Sequence, residues 1–390
     1  MTDRIVSVET FIVTVPRLVP YLGPLGPGES PNARGYIVRA GNGTIYPTVD
    51  RSVVVRITTG DGRIGWGETY GLCAPRATCE IINDLLAPVL VGDTFYDPEA
   101  QWDRLYGLTR VRGCSGGCHG DALAALDIAL WDLKGQAAGK SIRDLIGPTV
   151  HTTIPGYASG LPAATLRERV ALALAMQQNG HNAFKFAAVV SSEGIVEEMA
   201  ALREALGPAA DILIDMHWKF EPEQAVRLAE TLAPYRPGFL EAPVSPEDIA
   251  GLAQVADASA VPIAGGEEWY TEYDAKNRLA LASVAFVQPE MGHTGITQFL
   301  RISRIATAKN AKIAPHATVG TGIFLAASLQ ASATVSQLWK HEWQHSIFGR
   351  NLALLEGAMD YADGSYVLPQ GAGLGVSPGD AFWNHAEFVR

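Results

Sequence analysis

Short apolar runs alternate with longer amphipathic stretches between about residue 151 and residue 341 of this 390-residue chain. Each run spans four to six residues, the length of a buried strand, and the stretches between them repeat apolar residues at helical spacing. The runs lie at 153–158, 183–187, 211–215, 237–241, 261–265, 284–288, 312–315 and 338–341. Eight strands that alternate with helices predict a closed barrel of parallel strands with the helices outside it.

The N-terminal third follows another pattern. Residues 4–15 alternate between apolar and polar side chains, and two further alternating runs within residues 52–69 flank Gly60-Asp61-Gly62. Asp-Gly between such runs is a strong hairpin signal. Helical patterns then occupy about 75–112 and the segment after residue 120. These elements predict a separate α+β domain in front of the barrel.

A long segment rich in proline and glycine, residues 16–47, interrupts this first domain. Loops of this length in a compact domain are either mobile or functional. One interpretation is a disordered surface loop. The other is a lid that closes over the barrel mouth and selects the substrate.

Three of the barrel runs end on an acid at a regular interval. Asp215, Glu241 and Glu267 each close a run, and 26 residues separate each from the next. The carboxyl ends of neighbouring parallel strands meet at one rim, where active sites lie in this architecture. Three carboxylates gathered there repel one another unless a cation lies between them, and oxygen donors alone suit Mg²⁺ or Mn²⁺. The alternative is that each acid simply ends its strand in water.

The same rim carries further ionisable side chains. They follow or end strands 2, 3, 6, 7 and 8 of the predicted barrel, and they are Lys185, His217, Glu290, His316 and Glu342. His217 lies two residues after its strand's acid and therefore points the same way. Imidazoles, an amine and acids in one ring indicate proton transfer beside a metal ion. We expect the nearby His341 and His345 to have structural roles.

Composition and charge limit the classes of partner. The formal net charge is −11 with 47% hydrophobic residues, so nucleic acid and anionic membranes are not expected partners. Four cysteines are too few for a disulfide scaffold at this length. The chain opens without a cationic start followed by an apolar stretch, and no run reaches the roughly 18 apolar residues of a membrane span. We therefore expect a cytoplasmic protein.

Several of these motifs together resemble the enolase superfamily, in the mandelate racemase subgroup that includes many acid-sugar dehydratases. The resemblance extends over nearly the whole chain. Besides the three acids it rests on residues 125–135 (Ala-Leu-Asp-Ile-Ala-Leu-Trp-Asp-Leu-Lys-Gly), Gln288-Pro289-Glu290, Ile313-Ala-Pro-His316, Gly320-Thr-Gly322 and Gly371-Ala-Gly-Leu-Gly375. It implies an N-terminal α+β capping domain over residues 1–125, a (β/α)7β TIM-like barrel over 126–350, and a C-terminal tail over 351–390 that packs back on the capping domain.

The resemblance also implies roles for individual residues. Asp215, Glu241 and Glu267 match the ligands of one Mg²⁺ per subunit. His316 and Glu290 match the family's His–acid dyad, in which Asp is the usual acid at the position of Glu290.

Strands 2 and 8 complete the implied site. Glu342 matches the strand-8 acid that helps to hold the substrate's enolised carboxylate. The family's Lys-x-Lys pattern appears as Lys185-Phe186-Ala187, so alanine replaces the lysine that usually serves as base on one face of the substrate.

These groups point to a reaction that starts beside a carboxylate. A hydrogen in that position is too weakly acidic for His or Lys to remove unaided, because each pKa unit of mismatch is worth about 1.4 kcal/mol. Mg²⁺ and nearby positive charge stabilise the enediolate that forms. We predict that His316, oriented by Glu290, removes the α-proton, and that His217 or His316 protonates the departing β-hydroxyl. The predicted enzyme is a hydro-lyase that converts a polyhydroxy sugar acid, an aldonate or an aldarate, to a 2-keto-3-deoxy acid.

Other interpretations stay open at this point. Lys185 could be the principal base, and His217 could only support Trp218 in the barrel wall. The same ring of groups suits a sugar-lactone cycloisomerase or a racemase or epimerase, although Ala187 leaves one face of the carbanion without a base. A non-catalytic, metal-stabilised binding module is the alternative outside enzyme chemistry.

Substrate contacts and assembly are expected as follows. Arg34, Arg39, Tyr46, Lys219 and Trp269 are candidate contacts for the distal part of a small sugar acid. A homo-oligomer is expected, since barrels of this kind commonly assemble.

Overall fold

A computed structural model of the chain describes residues 3–191, 193–317, 320–357 and 359–390. The first part is an α+β layer. Its strands are β1 (Ile5–Pro16), β2 (Tyr36–Val38), β3 (Ile45–Pro47), β4 (Val49–Thr59) and β5 (Ile64–Tyr70). Its helices are α1 (Pro75–Glu80), α2 (Ala87–Leu90), α3 (Pro98–Thr109), α4 (Gly117–Ala138) and α5 (Ile142–Ile146), with a π-helical turn at Ile81–Leu86.

The predicted hairpin is β4–β5, which turns through Gly62, a glycine in the left-handed region with φ 86°. β1 pairs antiparallel with β4 along its length, and β4 and β5 pack against α4. Gly67 of β5 allows this helix to approach closely, because a Cβ there would lie 1.8 Å from the carbonyl oxygen of Ala125. Helix α4 runs without interruption across the boundary proposed at residue 125.

Eight short parallel strands form the barrel. They are β6 (Thr153–Ser159), β7 (Ala183–Ala187), β8 (Asp211–Asp215), β9 (Leu240–Glu241), β10 (Ile263–Gly265), β11 (Phe286–Val287), β12 (Lys312–Ile313) and β13 (His341–Trp343). Each strand pairs with the next in sequence from β6 to β12, β13 pairs with β6, and a bridge between Ile313 and Leu338 closes the wall. The eighth strand therefore begins at His341, three residues later than the apolar run predicted, and Leu338 at the start of that run forms an isolated bridge to Ile313.

Seven helices connect these strands. They are α6 (Leu166–Gln178), α7 (Ile195–Leu206), α8 (Pro222–Leu232), α9 (Ile249–Ala258), α10 (Glu272–Leu279), α11 (Met291–Ala308) and α12 (Ile323–Ser332). One apolar core lies between this helical layer and the strands, and a smaller one fills the barrel's interior around Tyr157 and Phe239. The fold class predicted from the pattern, a (β/α)7β barrel with an α+β capping domain, is confirmed.

The C-terminal segment returns to both parts of the molecule. After α13 (His345–Leu352) it forms β14 (Leu355–Glu356), β15 (Asp360–Ala362), β16 (Ser365–Val367), β17 (Ser377–Pro378) and β18 (Ala386–Val389). β16 pairs with β6 of the barrel, whereas β18 pairs with β1 of the capping domain. The domain bounds given above stay a proposal. None of the described helices combines the length and the apolar character that a bilayer crossing needs.

Candidate metal and proton-transfer site

The three predicted metal acids lie at the ends of adjacent strands. Asp215 is directly opposite Glu241 in the pairing of β8 with β9, and Glu267 follows β10. Asp215 and Glu241 are buried, whereas 14% of the side chain of Glu267 is exposed. Short parallel strands that end together therefore bring the three carboxylates to one rim, as the sequence spacing predicted.

The closest set of donor atoms in the described part of the rim differs slightly from the predicted triad. Oxygens of Glu241 and Glu267 and a nitrogen of His316 lie within 4.8 Å of one another. Asp215 is beside this set, but one of its oxygens lies 2.9 Å from Nδ1 of His217 and the other lies 3.9 Å from Nζ of Lys185. The local chain bends to allow this, since His217 and Trp218 both have left-handed backbone angles, with φ of 49° and 53°.

Lys185 from β7 neutralises the acids. Its ammonium donates to both carboxylate oxygens of Glu241, at 2.8 and 2.9 Å, and lies 2.9 Å from Oε1 of Glu342. Burial lowers the pKa of Lys185, but the carboxylates of Glu241 and Glu342 outweigh it and hold the pKa well above its usual range. The side chain is therefore a fixed positive charge on the rim.

His316, from the turn after β12, is held from one side and open to the acids on the other. Its Nδ1 donates to Oε2 of Glu290 at 2.8 Å, and its Nε2 lies 3.4 Å from carboxylate oxygens of both Glu267 and Glu342. Glu290 is fixed in turn by the N–H of Gly292 at 2.8 Å. Burial lowers the pKa of His316, but Glu267 and Glu342 raise it well above its usual value.

These groups open into a cavity of about 750 Å³ between the barrel and the capping domain. Its inner end carries Lys185, Asp215, His217, Glu267, His316 and Glu342. Its outer wall includes residues of the 16–47 loop, among them Tyr21, which stacks on Tyr46 at 5.1 Å between ring centres. The loop thus covers the barrel mouth, as one interpretation of the sequence expected, while its opening and closing stay a prediction.

The structure does not bring all expected substrate contacts to this cavity. Of the candidates, only Tyr46 is among its lining residues. Arg34 is exposed away from it, and Lys219 is exposed and lies over the ring of Phe220. Trp269 is fully buried, because its indole N–H donates to Glu268 and its ring packs in the barrel core.

Arg39 is also placed differently from the expectation. Its guanidinium is buried, pairs with Glu29 at 2.7 Å, and donates to the carbonyl oxygens of Tyr21, Gly23 and Pro24. It therefore stabilises the loop itself. Sequence spacing does not distinguish an arginine that binds its own loop from one that binds a ligand.

Several lining residues were not among the candidates. They are polar or basic side chains from the capping domain, from α11 and from α13, and they include Tyr70, His293, Arg17 and Arg350. The last two share the buried carboxylate of Asp50. The spacing of the barrel runs could not reveal them, since most lie outside the strand ends.

The donor set fits a hard divalent cation. Oε2 of Glu267 is buried and accepts no hydrogen bond from a described residue, and the neighbouring His316 nitrogen is only in ion-pair range. An under-satisfied carboxylate oxygen beside two further carboxylates is the environment that Mg²⁺ prefers over softer metals.

Two sequence families match the chain along most of its length. Residues 44–147 match the family described as mandelate racemase / muconate lactonizing enzyme, N-terminal domain, and residues 168–381 match the family described as enolase C-terminal domain-like. The chain belongs to the mandelate racemase / muconate lactonizing enzyme family of the enolase superfamily. The resemblance inferred from the sequence motifs is thereby confirmed.

Two curated relatives of the family carry names of reactions. The chain is 30% identical to D-galactarolactone cycloisomerase of Agrobacterium fabrum over 339 residues, which cover 83% of this chain and 88% of that protein. It is 31% identical to D-galactonate dehydratase of Ralstonia nicotianae over 354 residues, which cover 87% of this chain and 91% of that protein.

Solved structures of the family show the same architecture. An enolase superfamily member from Agrobacterium tumefaciens is 55% identical, with a TM-score of 0.97 over the full length of both chains. A racemase from Streptomyces coelicolor, solved with bound magnesium, is 25% identical with a TM-score of 0.82 over 98% of this chain and 100% of that one.

Proposed function

We propose that this chain is a Mg²⁺-dependent hydro-lyase that dehydrates a polyhydroxy sugar acid to a 2-keto-3-deoxy acid. The observation that carries this proposal is the placement of His316. One of its nitrogens is fixed by Glu290 at 2.8 Å, and the other faces the acids of the rim. An imidazole oriented in this way is suited to take a proton from a carbon held over those acids.

Asp215, Glu241 and Glu267 would hold the magnesium ion. The buried, under-satisfied oxygen of Glu267 and the magnesium bound to the Streptomyces relative support this assignment. When bound, Mg²⁺ supplies positive charge next to the substrate carboxylate and so makes its α-hydrogen more acidic.

Residues of the chain have separate roles in the reaction. His316 accepts the α-proton at Nε2, the ring nitrogen on the side of Glu267 and Glu342, while Glu290 holds Nδ1 at 2.8 Å. The ammonium of Lys185, 2.9 Å from Glu342, places a positive charge where the enolised carboxylate gains negative charge. The β-hydroxyl leaves as water after it is protonated.

Position 187 disfavours racemisation. An exchange of configuration needs a base on each face of the carbanion, and Ala187, which lines the cavity, has no ionisable group. Lys185 is held as an ammonium between two carboxylates, so it is a poor replacement base.

Cycloisomerisation of a sugar lactone is the second candidate. The match to D-galactarolactone cycloisomerase over 83% of the chain favours it. Both reactions begin with loss of the α-proton. They differ in the leaving oxygen, which is a hydroxyl in dehydration and the ring oxygen of an ester in lactone opening.

We further propose a cytoplasmic homo-oligomer. Its four cysteines are all free thiols, which agrees with a reducing compartment. Size-exclusion chromatography with light scattering would measure the assembly.

The test uses the purified chain, stripped with EDTA and then supplied with Mg²⁺. Aldonates, aldarates and their lactones are offered in parallel, and 2-keto products are detected with semicarbazide. We expect keto product from at least one free acid, full dependence on added Mg²⁺, and a loss of about 10³-fold or more in the His316→Asn variant. Absence of product from every acid, with Mg²⁺ bound, would exclude the dehydratase proposal.

A further inference from the structure

A second imidazole–carboxylate pair faces the same cavity. Nδ1 of His293, in the first turn of α11, lies 2.6 Å from Oδ1 of Asp121 on α4. The ring of His293 stacks on Tyr70 with 4.2 Å between centres and 8° between planes, and it packs against Tyr270 at 4.6 Å. A carboxylate and two aromatic rings therefore fix this imidazole in one orientation.

The second ring nitrogen of His293 is not engaged by Asp121. Nδ1 is taken by Asp121, so Nε2 is the nitrogen left for a ligand, and it makes no hydrogen bond to any described residue. His293 lines the cavity together with His316, and 18% of its side chain is exposed there. A buried carboxylate behind an imidazole with a free outward nitrogen is the arrangement of an acid–base histidine.

The barrel topology sets where His293 approaches the substrate. It follows β11, three residues after Glu290, and the neighbouring strand β12 leads to His316. His217 follows β8, which lies four strands from β12 around the wall. His293 is therefore on the same side of the cavity as the proposed base, and His217 is on the opposite side.

We propose that His293 donates the proton to the oxygen that leaves the β-carbon, a role that rests on the proposed dehydratase function. Its partner Asp121 belongs to the capping domain and is separate from the metal acids. His217 is paired instead with Asp215, a proposed metal ligand, and a divalent cation there disfavours an imidazolium next to it.

The step balances as follows. His316 takes the α-proton, and the C–H electron pair forms the enediolate. The C–O bond at the β-carbon then breaks, its electron pair stays on the oxygen, and that oxygen takes the Nε2 proton of His293 and leaves as water. The enol becomes the ketone when its β-carbon gains the proton held by His316, and the proton of its hydroxyl returns through water to His293.

The experiment compares two leaving groups in the full chain loaded with Mg²⁺. Loss of hydroxide from an aldonate or aldarate needs an acid, whereas opening of a lactone expels a carboxylate, which leaves without one. For His293→Asn we expect kcat for dehydration to fall about 100-fold or more. We expect lactone opening to fall less than about 5-fold, and exchange of the α-hydrogen with D₂O, followed by NMR, to continue.

Two further variants complete the design. Asp121→Asn keeps the shape of the pair but removes the charge behind the imidazole, so dehydration should fall by an intermediate factor. His385→Asn, which changes a histidine outside the cavity that contacts the carbonyl of Thr14, should leave dehydration unchanged. Thermal unfolding of all variants identifies any that fail to fold.

The outcomes separate the two proposals. If the wild type dehydrates an acid and His293→Asn retains that rate, or loses dehydration and lactone opening equally, the role of His293 is overturned and the dehydratase proposal stands. If the wild type opens lactones but releases water from no acid, or acts on neither, both proposals fall.

Discussion

Lys185 lies where a metal-binding rim would otherwise hold only negative charge. Its side chain is 3% exposed and its ammonium is within 4 Å of three carboxylates, those of Asp215, Glu241 and Glu342. Removal of one partner from a buried ion pair leaves uncompensated charge and is strongly destabilising. Lys185 therefore stabilises the fold, separately from any part that it has in catalysis.

Lys185→Met should destabilise the chain in EDTA by about 3–5 kcal/mol, because the buried carboxylates lose their counter-charge. Saturating Mg²⁺ should recover much of this loss, since it supplies positive charge to the same acids. Urea unfolding with and without Mg²⁺ measures both values. Lys276→Met, which removes an exposed pair with Glu272, is the matched control and should change stability by less than about 0.5 kcal/mol. A loss of stability that Mg²⁺ does not reduce would contradict the assignment of these acids as metal ligands.

His341, a buried histidine in the last strand of the barrel, makes the stability of the fold depend on pH. Its Nδ1 donates to the carbonyl of Glu342 at 3.0 Å, and its Nε2 accepts from Ser328 of α12 at 2.7 Å. The bond that Nε2 accepts requires the neutral ring. Burial lowers the pKa of His341 to about 4.

The sign of the resulting pH dependence follows from linkage. In the unfolded chain His341 takes up a proton at its ordinary pKa near 6.5, whereas in the folded chain it takes up the proton only at about pH 4. His341 thus contributes stability that is complete above pH 6.5 and is lost as the pH falls towards 4, in total about 3 kcal/mol. In urea titrations from pH 7.5 to 4.5, the stability difference between wild type and His341→Asn should narrow steadily. A constant difference would show that the pKa of His341 is the same in the folded and the unfolded chain.

At the scale of elements, the contact between β5 and α4 joins the capping sheet to its helix. Gly65 and Gly67 let the helix backbone approach, and Ala125 and Ala129 on the helix are equally small. The sequence pattern predicted both elements. It did not show that they touch so closely, because a glycine in a strand indicates first of all a weakened strand.

Gly67→Ala should therefore destabilise the chain by more than about 3 kcal/mol, since the new methyl group would meet the carbonyl oxygen of Ala125. Gly107→Ala is the control: this glycine is in α3, nothing lies within 4 Å of its added Cβ, and the change should stabilise by about 0.5–1 kcal/mol. Thermal or urea unfolding of the two variants tests whether their changes in stability have opposite signs. Equal effects would show that the helix can move away.

At the scale of the whole molecule, the C-terminal segment links the two parts of the fold. β18 pairs with β1 over four residues, Phe382 is fully buried, and Trp383 packs edge-on against Phe11. The tail thereby covers an edge of the capping sheet that would otherwise be exposed.

Removal of residues 380–390 should lower the free energy of unfolding by at least about 3–5 kcal/mol, the usual loss for one buried phenylalanine. Amide hydrogen exchange should increase in β1, whereas Mg²⁺ binding by calorimetry should change little, because the proposed metal ligands belong to the barrel. Unchanged exchange in β1 would contradict a structural role for β18.

The sequence alone determined the barrel, the order of its strands and the rim that carries the chemistry. The period of the apolar runs places the strand ends at one rim. Asp215, Glu241, Glu267 and His316 could therefore be placed together without knowledge of the tertiary structure. Local patterns are sufficient for this because neighbouring βα units are adjacent in space.

Which side chains line the cavity depends on tertiary packing. Asp121 and His293 are 172 residues apart and come from different parts of the fold, and Arg39 turns inward to its own loop. Trp269 is buried although it follows Glu267 by two residues. Such contacts depend on how the capping domain packs on the barrel, and the periodicity of a single element carries no information about that packing.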